Sequence, residues 1–277
     1  MGDDKYDRNA LVNRKLPQMQ LAKGLSNSTP PSIDRGAGTL ALQGARALLE
    51  HGLSGLALYD INPKEDHHGI SALRADFPSA KIILKQVDVT NVEILNQAIH
   101  ETASTLGSID ILCCYAGVVG CVHALEISVE EWRRTLEINT TGAFLCAQAV
   151  AKKMVDQGTG GAIVFIASIS GHTVNYPQPQ IAYNVSKSSL LHMKSCLAAE
   201  WSRYGIRTNT ISPGYMDTIL NEGDGLEEAR NIWTSRNPIG RMGNVEELSG
   251  ALVLLCSGAG SYITGADLVV DGGQTVF

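Results

Sequence analysis

The feature that most constrains the fold of this chain is an alternation of short apolar runs with longer amphipathic stretches, from about residue 36 onward. Short apolar runs between turn signals predict β-strands. Several of them are almost continuously apolar, which is typical of parallel strands covered on both faces. The strand candidates are Leu56–Tyr59, Lys81–Val87, Ile109–Cys113, Ala162–Ala167, Arg207–Ile211 and Asp267–Val270.

The stretches between these strands carry signals for helix starts. A polar residue followed three positions later by Glu is typical of a capping box, and this pattern occurs in Thr90-x-x-Glu93, Ser128-x-x-Glu131 and Asn244-x-x-Glu247. Strands that alternate with helices form right-handed βαβ units. The sequence therefore predicts an α/β fold with a single, Rossmann-like, doubly wound parallel sheet and helices on both faces.

The first 35 residues differ from the rest of the chain. The segment Leu25–Arg35 is polar and contains Pro30 and Pro31, and no strand pattern precedes the first clear helix, Leu42 to His51. We therefore expect residues 1–35 to be irregular, residues 36–277 to form the domain, and the first strand of the sheet to be poorly defined.

Composition excludes several classes of function. The chain has 277 residues, of which 44% are hydrophobic and 18% charged, and its net charge is −6 without a basic stripe, so nucleic acid is not an expected partner. No signal peptide and no apolar run long enough to cross a membrane are recognisable. The six cysteines lack metal-binding spacing, which predicts reduced, buried thiols in a cytoplasmic protein without a metal site.

Two residues four positions apart suggest proton transfer. Tyr183 and Lys187 lie on one face of a predicted helix, about one turn apart. A phenol is a poor base at neutral pH, but an ammonium group nearby favours its ionised form. Tyr183 could then take a proton from an alcohol or return it to a ketone. An amphipathic helix with a packed Tyr and an exposed Lys is the alternative.

Two further residues could belong to the same site. Ser168 follows the strand Ala162–Ala167, where a doubly wound sheet presents active-site groups, so its hydroxyl could bond to the reacting oxygen. Asn139 lies in a long helical stretch where Asn is a mediocre helix former. Its amide could hold a water that connects Lys187 to solvent, or it could simply be a tolerated polar residue.

A dinucleotide-binding site is predicted at the start of the domain. Gly36, Gly38 and Ala41 fit the G-x-G-x-x-A fingerprint of dinucleotide binding, and Asp60 lies at the right distance downstream. A carboxylate at the end of a strand can accept hydrogen bonds from ribose hydroxyls and repels a 2′-phosphate. We therefore expect NAD(H) to be favoured and NADP(H) to be possible. An Asp that caps a helix is the alternative.

Several motifs in order, FIASISG, YNVSK, INTTG, ISPGYMDT and SYITGADLVVDGG, resemble the short-chain dehydrogenase/reductase family from about Leu42 to the C-terminus. CYAGVVGCVHALE and GHTVNYPQPQIAYNVSK are most similar to its polyol and ketose branch, with enzymes of D-arabinitol, mannitol and L-xylulose. The resemblance implies a catalytic tetrad of Asn139, Ser168, Tyr183 and Lys187, in which Tyr183 and Lys187 also contact the cofactor, Lys187 at the nicotinamide ribose. The further cofactor contacts that it implies are Asp88, Val89, Ala116, Gly117, Pro213, Gly214 and Thr218.

The chain departs from that family at its first strand and glycine loop, where Thr-Gly-x-x-x-Gly-x-Gly is expected after an apolar strand. Three explanations stay open. The N-terminal segment could form an irregular substitute, the sequence could lack the coding for the first strand, or the protein could have kept the fold without the redox chemistry.

The leading hypothesis is hydride transfer between a nicotinamide cofactor and a secondary alcohol or ketone, most plausibly a polyol or ketose. A ketoreductase for a secondary-metabolite carbonyl and a non-redox binding protein are the alternatives. By analogy with the family we expect a homodimer or homotetramer built through the helices near Ser128 and Ala182. The residues expected to line the substrate site are His172, Asn175, Gln178, Gln180, Tyr215 and Trp233.

Overall fold

The computed structural model describes residues 19–23, 37–63, 67–218 and 226–276. Seven parallel strands form one sheet in the order β3-β2-β1-β4-β5-β6-β7. The strands are β1 Met19–Lys23, β2 Gly55–Asp60, β3 Lys81–Gln86, β4 Ile111–Cys114, β5 Gly161–Ile166, β6 Ile206–Pro213 and β7 Asp267–Val270. The α/β fold with a doubly wound parallel sheet is therefore confirmed.

Helices cover both faces of this sheet. They are α1 Ala37–Glu50, α2 His68–Asp76, α3 Val92–Leu106, α4 Val129–Leu136, α5 Ala143–Gln157, α6 Ile181–Trp201, α7 Glu227–Arg236 and α8 Ser249–Cys256. Side chains of β4 alternate between two cores, with Leu112 in the core beneath α3 and α5 and Ile111 in the core beneath α1 and α8. This alternation explains why the predicted strands are apolar on both faces.

A first strand, which was expected to be poorly defined, precedes Gly36, although no strand pattern was recognised there. Strand β1 lies within residues 1–35 and pairs with both β2 and β4, which makes it a central strand of the sheet. Its five residues, Met19–Lys23, contain two polar residues and no β-branched residue, so their β-propensity was too weak to be recognised. Pairing on both sides supplies the backbone hydrogen bonds that stabilise the strand instead.

The first residues of the helices agree only partly with those predicted from the sequence. Ser128 caps α4 by accepting a hydrogen bond from the Glu131 N–H, and Asn244 and Glu247 form a complete capping box before the short 3-10 turn that leads into α8. The prediction for α3 is wrong by one residue, because Asn91 and not Thr90 is the cap. Helix α1 begins at Ala37 and not at Leu42, so Gly38 lies in its first turn.

The order of the strands determines where a ligand can bind. The chain runs outward from β1 to β2 and β3, returns to β4 and then runs outward in the other direction. The direction of the strand order therefore changes between β1 and β4, and in sheets of this type a ligand-binding crevice lies at the carboxyl ends of the strands at such a point. The residues that follow β2, β4, β5 and β6 all lie at this edge.

Candidate active site

Helix α6 brings Tyr183 and Lys187 to the same cleft. The Lys187 Nζ lies 5.6 Å from the centroid of the Tyr183 ring, as expected for residues one turn apart. Lys187 is only 5% exposed, and its Nζ donates a 2.7 Å hydrogen bond to the Ile166 carbonyl at the end of β5. This bond anchors the catalytic helix to the strand that carries Ser168.

Burial sets the protonation of both side chains. It raises the pKa of Tyr183 to about 12, although a hydrogen bond with Ser168 acts in the opposite direction. It lowers the pKa of Lys187 to about 8. Desolvation is the largest influence on the pKa of this phenol, and the expected effect of the Lys187 ammonium on the phenolate stays a prediction. At neutral pH the phenol is protonated and Lys187 is mostly charged.

Ser168 follows β5 and caps a 3-10 turn, Ile169–Gly171. Its Oγ accepts a 3.1 Å hydrogen bond from the Ser170 N–H, donates to the Ser170 Oγ at 2.9 Å and is hydrogen-bonded with Tyr183. The turn therefore holds the Ser168 hydroxyl beside the phenol, where both groups can contact one substrate oxygen. The sequence analysis missed Ser170, which lies two residues after Ser168 and orients the Ser168 hydroxyl through these two hydrogen bonds.

Asn139 is fully buried in a π-helical turn, Glu137–Gly142, between α4 and α5. Its Nδ2 donates to the Val118 carbonyl and to the Ser186 Oγ, both at 2.9 Å, and its Oδ1 accepts from the Val118 N–H at 2.8 Å. Both amide hydrogens are therefore used. Asn139 connects the segment after β4 to the catalytic helix, and its predicted contact with a water stays a prediction.

Gly117 lies between these groups and lines the cleft. A Cβ at this position would lie 3.3 Å from the Asn139 Oδ1 and 3.7 Å from the Lys187 Nζ. A side chain here would therefore crowd the space in front of Lys187. Of the three donors on the Lys187 ammonium, the contacts within the described ranges use one, so two can reach a ligand across Gly117.

The other predicted cofactor contacts lie along the same edge of the sheet. Pro213, Gly214 and Thr218 line the cleft, as does Leu40 from the first turn of α1. A Cβ at Gly214 would lie 2.8 Å from the Asp271 Cα, so a glycine is needed there for packing. Gly36 lies outside the described residues, and Gly38 is buried within α1.

The acidic residues at this edge have local partners. Asp60 is buried at the end of β2, where its Oδ1 accepts a 2.9 Å hydrogen bond from the Asn62 N–H. Asp88 follows β3 and accepts from both the N–H and the hydroxyl of Thr90. Val89 and Ala116 are buried in the core and do not line the cleft.

The substrate end of the cleft combines an aromatic wall with polar groups. Tyr215 and Trp233 stack with ring centroids 4.3 Å apart, and the cleft holds a cavity of about 190 Å³. Five of the six predicted lining residues are found there. The sixth, His172, is not, because its Nε2 bonds to Asp267 at 2.8 Å and Ser212 at 3.2 Å. The apolar lining residues that the sequence analysis missed are Val118, Val119, Ile169, Met216 and Leu226.

Three polar atoms of this lining are buried and have no hydrogen-bond partner within the described part of the chain. They are the Asn175 Oδ1, the Gln178 Oε1 and the Trp233 Nε1. Because an unmade hydrogen bond at a buried polar atom costs about 1–3 kcal/mol, such atoms are usually satisfied by water or by a ligand. This end of the cleft therefore offers both acceptors and a donor to a polar molecule.

The sequence analysis also made predictions about metal sites, membrane-spanning helices and the burial of the cysteines. No cluster of metal-ligating side chains occurs among the described residues, and no helix among them is long and apolar enough to span a membrane. Cys121 and Cys196 are exposed, contrary to the prediction that the cysteines are buried, whereas the other four are buried as free thiols.

Comparison with known proteins agrees with this geometry. Residues 36–275 match a family model described as Enoyl-(Acyl carrier protein) reductase. A Hypocrea jecorina protein named NADP-dependent mannitol dehydrogenase is 34% identical over 264 residues, covering 95% of this chain and 97% of that protein. A Candida albicans protein named D-arabinitol 2-dehydrogenase [ribulose-forming] is 34% identical over 257 residues, covering 86% and 89%.

Among solved structures, a short-chain type dehydrogenase/reductase from Mycobacterium marinum superposes with a TM-score of 0.81 at 34% identity. The match covers 94% of this chain and 97% of that one. Both the sequence and the fold are therefore similar over nearly the whole length.

Proposed function

The chain belongs to the short-chain dehydrogenase/reductase family, and from that premise we propose that it interconverts a polyol and the corresponding ketose with a nicotinamide cofactor. The observation that carries the substrate class is the set of unpartnered buried polar atoms, of Asn175, Gln178 and Trp233, in the same cleft as Tyr183. Hydroxyl groups both donate and accept hydrogen bonds, so a polyhydroxylated chain can satisfy all three atoms. The names of the relatives in Hypocrea jecorina and Candida albicans support the same class.

The reaction follows from the protonation of the site. In ketose reduction, the protonated phenol of Tyr183 donates its proton to the carbonyl oxygen, and the Ser168 hydroxyl turns from the Ser170 Oγ to donate a hydrogen bond to the same oxygen. In polyol oxidation Tyr183 must first be deprotonated, and it then accepts the hydroxyl proton. Lys187 stabilises this phenolate by its charge. A bound nicotinamide cofactor supplies the hydride in one direction and accepts it in the other.

The described residues fit a nicotinamide cofactor. Lys187 has two donors available for a ribose diol, Gly117 leaves the space beside it open, and the Thr218 hydroxyl lies at the same cleft. We propose that NAD(H) is preferred, because the buried Asp60 carboxylate at the end of β2 repels a 2′-phosphate. The relative in Hypocrea jecorina, named NADP-dependent, points to the opposite preference.

Titration with NADH and with NADPH, followed by nicotinamide fluorescence, tests the cofactor part of the proposal. We expect saturable binding that is tighter for NADH. Asp60→Asn should reduce the difference in affinity between NADH and NADPH, because it removes the negative charge and keeps an oxygen that can accept the hydrogen bond from the Asn62 N–H. Tighter binding of NADPH by the wild type would contradict the assigned role of Asp60, and no binding by a folded protein would favour a non-redox role.

A screen of polyols, ketoses and apolar ketones tests the substrate class. We expect turnover of polyols and ketoses that disappears in Tyr183→Phe. The apolar part of the lining, with Val118, Val119 and Met216, favours the alternative ketoreductase. Turnover of apolar ketones with none of any polyol or ketose would establish that alternative.

A further inference from the structure

A second, smaller cavity adjoins the cleft. It has a volume of about 60 Å³, and it shares four lining residues with the cleft, namely Ile169, Ser170, Asn175 and Tyr215. The lining residues that it does not share with the cleft include Tyr176, Arg236 and Gln274. We call this cavity the side chamber. It has room for a hydroxymethyl group and is too small for a sugar ring, since a single water needs about 10–15 Å³ measured in this way.

Two carbonyl oxygens of the side chamber have no partner. The Asn175 Oδ1 and the Gln274 Oε1 are both buried, and neither accepts a hydrogen bond from any residue within the described ranges. A buried acceptor of this kind is normally satisfied by water or ligand. A ligand that donates hydrogen bonds in the side chamber would satisfy both oxygens.

The Asn175 amide and the backbone around Gln274 are held by hydrogen bonds. The Asn175 Nδ2 donates a 3.1 Å hydrogen bond to the Tyr215 Oη, which directs the amide oxygen away from Tyr215. The Asp271 carboxylate accepts from the N–H groups of Gly273 and Thr275, at 2.9 and 2.8 Å. These bonds hold the backbone on both sides of Gln274, so the turn that carries its side chain is stabilised.

The side chamber also contains a donor. The Tyr215 Oη accepts hydrogen bonds from the Asn175 side chain and from the Tyr176 backbone. With its lone pairs used in this way, the hydroxyl hydrogen of Tyr215 is available for a ligand. The Arg236 guanidinium is exposed and lies 5.3 Å from the centroid of the Tyr176 ring, at the solvent side of the side chamber.

We propose that the side chamber binds the end of the polyol or ketose chain farthest from the reacting carbon, and that it selects a neutral hydroxymethyl end over a carboxylate. The proposal rests on the proposed function. A hydroxyl donates to the Gln274 or Asn175 oxygen and accepts from Tyr215, whereas a carboxylate cannot donate and would face two carbonyl oxygens. The attraction of Arg236 for a carboxylate is weakened because solvent screens an exposed cation.

The test removes the acceptor and the substrate hydroxyl in turn. The variant Gln274→Leu is compared with wild type on D-fructose, L-sorbose and D-tagatose, each beside its 6-deoxy analogue. We expect Gln274→Leu to lower kcat/KM about three- to tenfold for the hydroxylated ketoses, the effect of one lost neutral hydrogen bond, and to leave the deoxy analogues unchanged. An equal loss for both members of each pair would overturn the proposal, because it would indicate a general structural defect.

A second variant, Gln274→Glu, tests whether the side chamber selects a neutral hydroxymethyl end over a carboxylate. Gln274→Glu keeps an acceptor and adds a negative charge, so it should lower any activity on keto acids that end in a carboxylate more than it lowers activity on the ketoses. Wild-type turnover of such keto acids that equals turnover of the ketoses would contradict the selectivity.

A direct measurement of sugar binding can distinguish an error in the side-chamber proposal from an error in the proposed reaction. Calorimetry measures binding of the same ketoses and deoxy analogues to the cofactor-saturated wild type and to Gln274→Leu. If no polyol or ketose is turned over but the hydroxylated sugars bind and lose affinity in Gln274→Leu, the proposed reaction is wrong and the side chamber is supported. If the sugars are turned over and Gln274→Leu makes no difference, the proposed reaction stands and the side chamber is wrong. If nothing binds, both are wrong.

Discussion

At the scale of single residues, the site depends on two side chains whose ionisation is shifted by burial. The sequence predicts the pair of Tyr183 and Lys187 from its spacing, but the effect of burial on each pKa depends on tertiary packing. Tyr183 is held as a phenol and Lys187 is brought closer to its neutral form.

We expect Tyr183→Phe to reduce turnover at least about a thousandfold, because the proton donor is removed while the ring is retained. NADH binding should change less than twofold, since Tyr183 is not needed to hold the ribose. In contrast, Lys187→Ala should impair both turnover and binding. Steady-state rates and fluorescence titration measure the two effects, and near-native rates in Tyr183→Phe would refute its role as acid and base.

The rate of polyol oxidation should rise with pH between about 6 and 7.5, where Lys187 with its pKa of about 8 keeps most of its charge, and that of ketose reduction should not. Oxidation requires the phenolate of Tyr183, whose fraction increases about tenfold per pH unit below the pKa of about 12. Reduction requires the phenol, which predominates over this whole range. Profiles of kcat in both directions at saturating substrate measure this, and an oxidation rate independent of pH would contradict it.

At the scale of secondary-structure elements, one carboxylate connects three segments. The Asp267 side chain on β7 accepts hydrogen bonds from the hydroxyls of Thr210 and Ser212 on β6, at 2.6 and 2.9 Å. It also bonds to His172, which follows the 3-10 turn of Ser168. These contacts connect the catalytic turn to the edge of the sheet.

Asp267→Ala should therefore lower the free energy of unfolding by about 1–3 kcal/mol, since buried hydroxyls lose their acceptor. The matched control is Asp76→Ala, which removes an exposed ion pair with Arg46 and should cost less than about 1 kcal/mol. Urea denaturation measures both variants. Equal losses would show that Asp267 contributes no more than a surface charge.

The elements also show which features a sequence can reveal. Strands β4 and β5 are apolar on both faces, and their positions were predicted to within two residues. Strand β1 was missed because its stability comes from pairing with two neighbours and not from its own composition. Gln274 was missed for a similar reason, since only the folded C-terminal turn brings it to the cavity beside Tyr215.

At the scale of the whole molecule, the sheet depends on β1. A chain that begins at residue 24 would lose the strand between β2 and β4, and backbone groups on both neighbours would lose their partners. We expect this truncated chain to aggregate or to lack a cooperative unfolding transition, as measured by gel filtration and circular dichroism against the full chain. A folded truncated chain would show that β1 is dispensable.

We also propose that the chain associates through α4 and α6, where Val129 is 55% and Val185 is 43% exposed. Val129→Glu should reduce the molar mass measured by light scattering from that of a dimer or tetramer, because it introduces charge at the contact. Tyr262→Glu, which changes an exposed residue outside these helices, is the control. A wild-type monomer would disprove the proposal.

Ser186 illustrates how a motif can conceal a constraint. It is fully buried between Tyr183 and Lys187, donates to the Tyr183 carbonyl at 2.7 Å and accepts from the Asn139 amide. A motif written Tyr-x-x-x-Lys treats this position as a wildcard, yet a side chain without a hydroxyl would leave a buried amide hydrogen unmatched. In proteins that share this arrangement, the residues at positions 139 and 186 should therefore covary, and an alignment that scores them independently would underestimate how much information the motif contains.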